Sequence, residues 1–325
     1  MKRRTVLQAG ATGAAIALAQ RPASAQAWPA RQIRIVVPYA AGGTSDILAR
    51  LLGVRVGEAL GQQIVVENRA GANGALGTDL VAKSPPDGYT LLLTDVSGLT
   101  SAPAVVPNLP FNASRDFAPV TLITYSPHLV VVANQVAAKT LPELVALAKS
   151  KKGAMNCAIV GSGSATHIAA AQFAKLAGIE WTYVIYKGGA QALNDVAAGQ
   201  ADVLFNGMLA TLPFVQGNRL RALAASSDKR WPTLPNLPTV AENGFPGFLS
   251  GSWQGLIAPA GTPPAVIDRL NVEFGKALSQ PDIIEKLTAQ GAEPRPMSAD
   301  RFKAFLAAET TKWTQVVREA NIKAE

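Results

Sequence analysis

Four loops of the 325-residue chain are rich in glycine or small residues, and each runs into a stretch with helical spacing: residues 39–46, 71–77, 161–167 and 186–189. Glycine lets the backbone come close to a ligand. The first turn of a helix offers unpaired N–H groups and the positive end of the dipole. Thr44, Ser45, Ser162, Ser164 and Thr166 add neutral hydroxyl donors. Together these groups can hold a carboxylate or phosphate without a buried arginine. Any one of these loops is equally a tight strand-to-helix turn with capping side chains. The binding reading rests on finding one in each half of the chain.

Catalytic readings fail on particular residues. The run Gly161-Ser162-Gly163-Ser164-Ala165-Thr166 begins like a dinucleotide fingerprint but ends on Thr166. The strand after it closes on Ile185-Tyr186-Lys187, without the acid that would hold a ribose. No phosphate-loop lysine motif and no G-x-S-x-G nucleophile elbow occurs. His167 among serines suits ligand contact or capping better than base catalysis. One cysteine excludes an internal disulfide and a cysteine-rich zinc site, and His128 and His167 are the only histidines. No catalytic residue, metal or cofactor is expected. The net charge of +8 owes four residues, Lys2, Arg3, Arg4 and Arg21, to an N-terminal stretch with no acid. The other basic residues are scattered, with no basic stripe and interleaved aromatics for nucleic acid.

The elements that position these loops read as strand, loop, helix, repeated. Ile33-Arg34-Ile35-Val36-Val37 is a strand, and Ile47, Leu48, Leu51 and Leu52 after Asp46 keep helical spacing. A strand over 64–67, a helix over 75–83 and a strand over 89–93 follow. The pattern restarts after Pro127 with strands over 129–133, 155–160, 181–185 and 202–205. Helices over 141–148, 167–177 and 190–198 separate them, the first introduced by Thr140 as N-cap. Beyond Trp253 the chain reads as mainly helical: 264–279, 282–289 and 299–320. Residues 231–246 form a proline-rich surface connection. Cys157 falls in an apolar strand and reads as a core thiol. Alternation of this kind gives α/β lobes with doubly wound sheets. The length suits two of them, 28–126 plus 252–325 and 127–251.

Residues 1–27 read as an export signal. A basic start, an apolar stretch over 9–19 and two A-x-A sites place cleavage after Ala25 or Ala27. Arg3-Arg4 resembles a twin-arginine motif, although a general secretory signal with a chance arginine pair fits too. Either route leads to the periplasm.

At the same loops the chain resembles the Bug-type solute receptors of tripartite tricarboxylate transporters. The resemblance covers nearly all of the mature chain. It includes Val37-Pro38-Tyr39-Ala40-Ala41-Gly42-Gly43-Thr44-Ser45-Asp46, Glu67-Asn68-Arg69-Ala70-Gly71-Ala72-Asn73-Gly74 and Pro86-Asp87-Gly88-Tyr89. Tyr186-Lys187-Gly188-Gly189, Leu237-Pro238-Thr239-Val240 and Ala258-Pro259-Ala260-Gly261-Thr262-Pro263 extend it. The resemblance implies a two-lobed periplasmic binding protein of type II, a Venus flytrap, acting as a monomer with membrane permease subunits as partners. It implies a small carboxylate ligand, such as a di- or tricarboxylate or an aromatic acid. It places the ligand carboxylate between Tyr39, Gly42, Gly43, Thr44 and Asp46 of one lobe and Ser162, Ser164 and Thr166 of the other. Ser97, His128 and Asn206 are expected at the ligand's far end. Asp46 is expected to organise its loop without touching the anion. Loss of the Ser164 and Thr166 hydroxyls is expected to weaken binding and leave the empty protein's stability unchanged. The rival function is a secreted sensor that docks to a membrane signalling protein.

Overall fold

The computed structural model describes residues 28–106, 108–319 and 322, so the expected export signal lies outside the described residues. The chain opens with β1 (Ile33–Val37), α1 (Thr44–Leu60), β2 (Ile64–Asn68), α2 (Ala75–Ala82) and β3 (Thr90–Asp95). A π-helical turn over Ser97–Ser101 leads into α3 (Ala102–Val105), and then β4 runs from Phe117 to Ala133. Next come α4 (Leu141–Lys151), β5 (Asn156–Ile159), α5 (Ala165–Ala177), β6 (Thr182–Ile185), α6 (Gly189–Ala197), β7 (Val203–Gly207), α7 (Met208–Gln216) and β8 (Leu220–Ala225). The chain ends with β9 (Gly251–Pro259), α8 (Pro264–Leu278), α9 (Pro281–Ala289), β10 (Glu293–Pro294) and α10 (Ala299–Glu319).

The strands pair in the order β2-β1-β3-β9-β4-β7-β5-β6, with β8 and β10 also on β4. β1, β2 and β3 pair in parallel, as do β5, β6 and β7, while every pairing of β4 and β9 is antiparallel. The sheets are therefore mixed, not purely parallel. β4 belongs to both halves of the molecule. Its residues Phe117–Pro127 lie along β9, and its residues His128–Ala133 lie along β7 and β8.

Two expectations need correction. The strand expected to start after Pro127 begins at Phe117, and Pro127 sits inside it, opposite Gly251. Proline has no N–H for a ladder, and here it falls where β4 leaves β9 and joins β7. The stretch after Trp253, read as mainly helical, starts as the buried strand β9.

The inner strands are apolar on both faces, which explains their unbroken hydrophobic runs. Ile33, Ile35 and Val37 of β1 join one core with α1 and α8, whereas Val36 faces the opposite core with Trp253 and Phe302. Leu91 and Leu93 split from Leu92 in the same way. A separate core gathers around Val130, Cys157, Phe173, Leu204 and Phe205. Local chemistry sets the helix ends. Thr140 accepts from Glu143 N–H while the Glu143 carboxylate accepts from Lys139 N–H, a reciprocal cap on α4. Gly61, in the left-handed region at φ 66°, ends α1.

Candidate binding site between the two halves

Four helices point their N-termini at one cleft. Gly43, Thr44 and Ser45 begin α1, and Ser164, Ala165 and Thr166 begin α5. Gly189 begins α6, and Gly207 precedes α7. All eight residues line a single cavity, together with Tyr39, Asp95, Ser97, His128, Asn206 and Ser252. No lysine or arginine lines it. α1, α6 and α7 carry no side-chain cap, so their first amides are not taken by a side chain of the cap residue. These converging amides and dipoles supply positive potential without a cationic side chain.

Each expected residue has a definite place. Tyr39, Gly43, Thr44, Ser97, His128, Ser164, Thr166 and Asn206 share the cavity. Gly42, Asp46 and Ser162 do not line it. Asp46 is buried behind the first loop, where Oδ2 accepts from Gly42 N–H at 2.9 Å and Arg50 lies 2.9 Å from Oδ1. Burial pushes its carboxyl up, but hydrogen bonds from Arg50 and Gly42 outweigh that and leave it below the usual carboxylate range. Ser162 offers only its carbonyl, which accepts from Asn73 Nδ2 at 2.7 Å across the cleft. Ser101 Oγ donates across it to Gly163 O, also at 2.7 Å. With these contacts made, the cavity is about 50 Å³, room for a few waters.

The second-half loop is tightly organised. Ser164 Oγ accepts from His167 N–H at 3.1 Å, the N-cap of α5, and lies 2.9 Å from Thr166 Oγ1. Thr166 Oγ1 accepts from Val160 N–H at 2.9 Å. His167 is structural: its Nδ1 accepts from Gly163 N–H at 3.0 Å, its ring packs on Tyr183, and burial pushes it down to about 4. His128 also stays neutral, since burial pushes it down to about 3. Its Nδ1 lies 3.1 Å from Ser250 Oγ, and its buried Nε2 has no partner among the described residues. Asn206 donates from Nδ2 to Thr211 Oγ1 at 2.9 Å.

Sequence reasoning missed Asp95, Ser252 and Gly207. The strand ending expected at residue 93 hid Asp95, and β9 was not recognised at Ser252. Gly207 carried the one available signal, a glycine at the end of an apolar strand. Among the described residues no group of three or more metal-ligating side chains occurs, and no helix is long and apolar enough to cross a membrane.

A family model described as tripartite tricarboxylate transporter family receptor matches residues 48–322. Protein BugT of Bordetella pertussis is 36% identical over 303 residues, 93% of each chain. A solved structure of Rhodopseudomonas palustris Rpa4515 with adipate superposes with a TM-score of 0.90 at 34% identity, covering 92% of this chain and 100% of that one. The periplasmic binding protein BugD gives 0.87 at 32% identity, again with 92% and 100% coverage. MatC of R. palustris with bound malate gives 0.85 at 33% identity, covering 89% and 100%. With its two halves joined through β4 and β9, this chain has the two-lobed type II fold of periplasmic binding proteins and belongs to the tripartite tricarboxylate transporter receptors of the Bug type.

Proposed function

We propose that the protein is a periplasmic receptor that captures a small organic carboxylate and delivers it to the membrane subunits of a tripartite transporter. One observation carries the reading: the N-termini of α1, α5, α6 and α7 converge on a cavity whose lining holds no basic side chain. Such a site favours an anion through oriented amides. The adipate and malate of the neighbouring structures support the ligand class, and the family supports the permease. Nothing in the cavity is arranged for turnover. The family model describes a receptor, which supports binding over turnover. The lobes are residues 28–126 with 252–325 and residues 127–251, and they part to admit the ligand. Residues 1–27 direct export.

A thermal-shift screen against mono-, di- and tricarboxylates, aromatic acids and amino acids tests this. A true ligand at about 100 times its dissociation constant adds about 2.7 kcal/mol of stability. That is a rise of roughly 5–10 °C in melting temperature for lobes of this size. No shift with any acid, beside a clear shift with a neutral sugar or an amine, contradicts the proposal.

A further inference from the structure

The cavity lining holds one charged side chain, and its sign opposes an acid. Asp95 closes β3 beside Tyr39, Ser97 and His128. Tyr39 donates its hydroxyl proton to Oδ1 at 2.5 Å, and Ser97 N–H donates to the same oxygen at 2.8 Å. Burial raises the carboxyl above the usual carboxylate range, and those hydrogen bonds, which favour its charged form, offset this only in part. No lysine or arginine lines the cavity to neutralise it. A carboxylate in this position influences which acids bind. A ligand with two carboxylates adds repulsion in a poorly screened site, whereas an ammonium group removes it and gains charge-assisted hydrogen bonds.

His128 gives an independent sign of what the ligand must offer. It is 1% exposed and lines the same cavity, and its buried Nε2 has no partner among the described residues. The Ser250 hydroxyl has its hydrogen bond with His128 Nδ1. With Ser250 donating, Nε2 carries the ring proton and seeks an acceptor such as a carboxylate oxygen; with Nδ1 donating, Nε2 seeks a donor such as an ammonium group. The cavity thus presents an acceptor at Asp95 and donors at the helix N-termini, with His128 Nε2 left to pair with the ligand. A plain dicarboxylate suits only the donors.

We propose that Asp95 determines specificity in this cleft, selecting an acid that carries an ammonium group, an amino acid, over plain di- and tricarboxylates. The proposal rests on the carboxylate reading above.

Calorimetric titration of the mature protein against matched pairs tests it: alanine and propionate, aspartate and succinate, glutamate and glutarate, phenylalanine and 3-phenylpropionate, with citrate as a further plain acid. In at least one pair the amino acid should bind about tenfold or more tightly than its deaminated counterpart. Asp95→Asn keeps an acceptor oxygen for Tyr39 and Ser97, and should erase or invert that preference. The wild-type preference is a readout that does not depend on the variant folding. A plain acid as the tightest ligand, or a preference that survives in Asp95→Asn, overturns the role of Asp95 and leaves the carboxylate reading standing. Failure of every acid here and in the thermal screen overturns both.

Discussion

Ser164 and Thr166 share two protons between three tasks. Ser164 caps α5, the two hydroxyls bond to each other, and Thr166 receives Val160 N–H. One hydroxyl proton is spent between them, so one is left for an acceptor in the cavity. Ser164→Ala should therefore cost the empty protein about 0.5–2 kcal/mol as a lost cap, contrary to the expectation of unchanged stability. Ser164→Ala with Thr166→Val should weaken ligand binding about tenfold, in line with roughly 1–1.5 kcal/mol for a lost hydrogen bond, while Thr166→Ser binds as wild type. Denaturant titration and calorimetry check both effects, and unchanged affinity in the double variant would confine the pair to capping. The residue types were legible in the sequence because Ser162, Ser164 and Thr166 stand in a glycine loop that runs into a helix. The cap was not, because it depends on where α5 starts, at Ala165 and not at residue 167.

At the scale of elements, the first loop divides its work between adjacent residues. Gly42 has φ 81°, where a side chain is strained, and a Cβ there would lie 3.2 Å from Ala190 Cβ. Gly43 has φ −80°, open to any residue, and its Cβ would lie 3.9 Å from the Gly189 nitrogen that begins α6. Gly43→Val should therefore fold, place its branched methyls between the termini of α1 and α6, and abolish binding. Asp46→Ala should release Gly42 N–H and Arg50, cost about 0.5–2 kcal/mol like other lost caps, and weaken binding through a looser loop. Melting temperature and titration of the two variants separate blockage from loosening; normal binding by Gly43→Val would make the loop a mere turn. This strand-loop-helix unit was readable from the β-branched run of β1, the glycine turn after it and the spacing in α1. α7 was not, because Met208–Gln216 is an apolar run interrupted by Pro213, in which periodicity cannot tell helix from strand. β9 was hidden for a related reason: all nine of its residues are buried, which leaves no alternation to read.

At the scale of the molecule, the two halves meet through apolar packing, such as Ile168 against the core of Trp253 and Phe302, and through hydrogen bonds, as well as through the strands they share. Asn73 and Ser101 bond to the Ser162 and Gly163 carbonyls on one side of the cleft. β4 and β9 run together through Ser126 and Ser252 on the other. Two α/β units were legible from the repeat of strand, loop and helix. Their junction was not, because Pro127 reads as a break in a strand that continues through it. Helix N-termini from both halves are proposed to hold an acid with no basic side chain beside it. The most direct test is a crystal structure with the tightest acid from the thermal screen. The expected result is a carboxylate bonded to backbone amides at the starts of α1 and α5, enclosed by Tyr39, Ser164 and Thr166, with no lysine or arginine in contact. A carboxylate paired with an arginine or lysine, or bound outside this cleft, would contradict it.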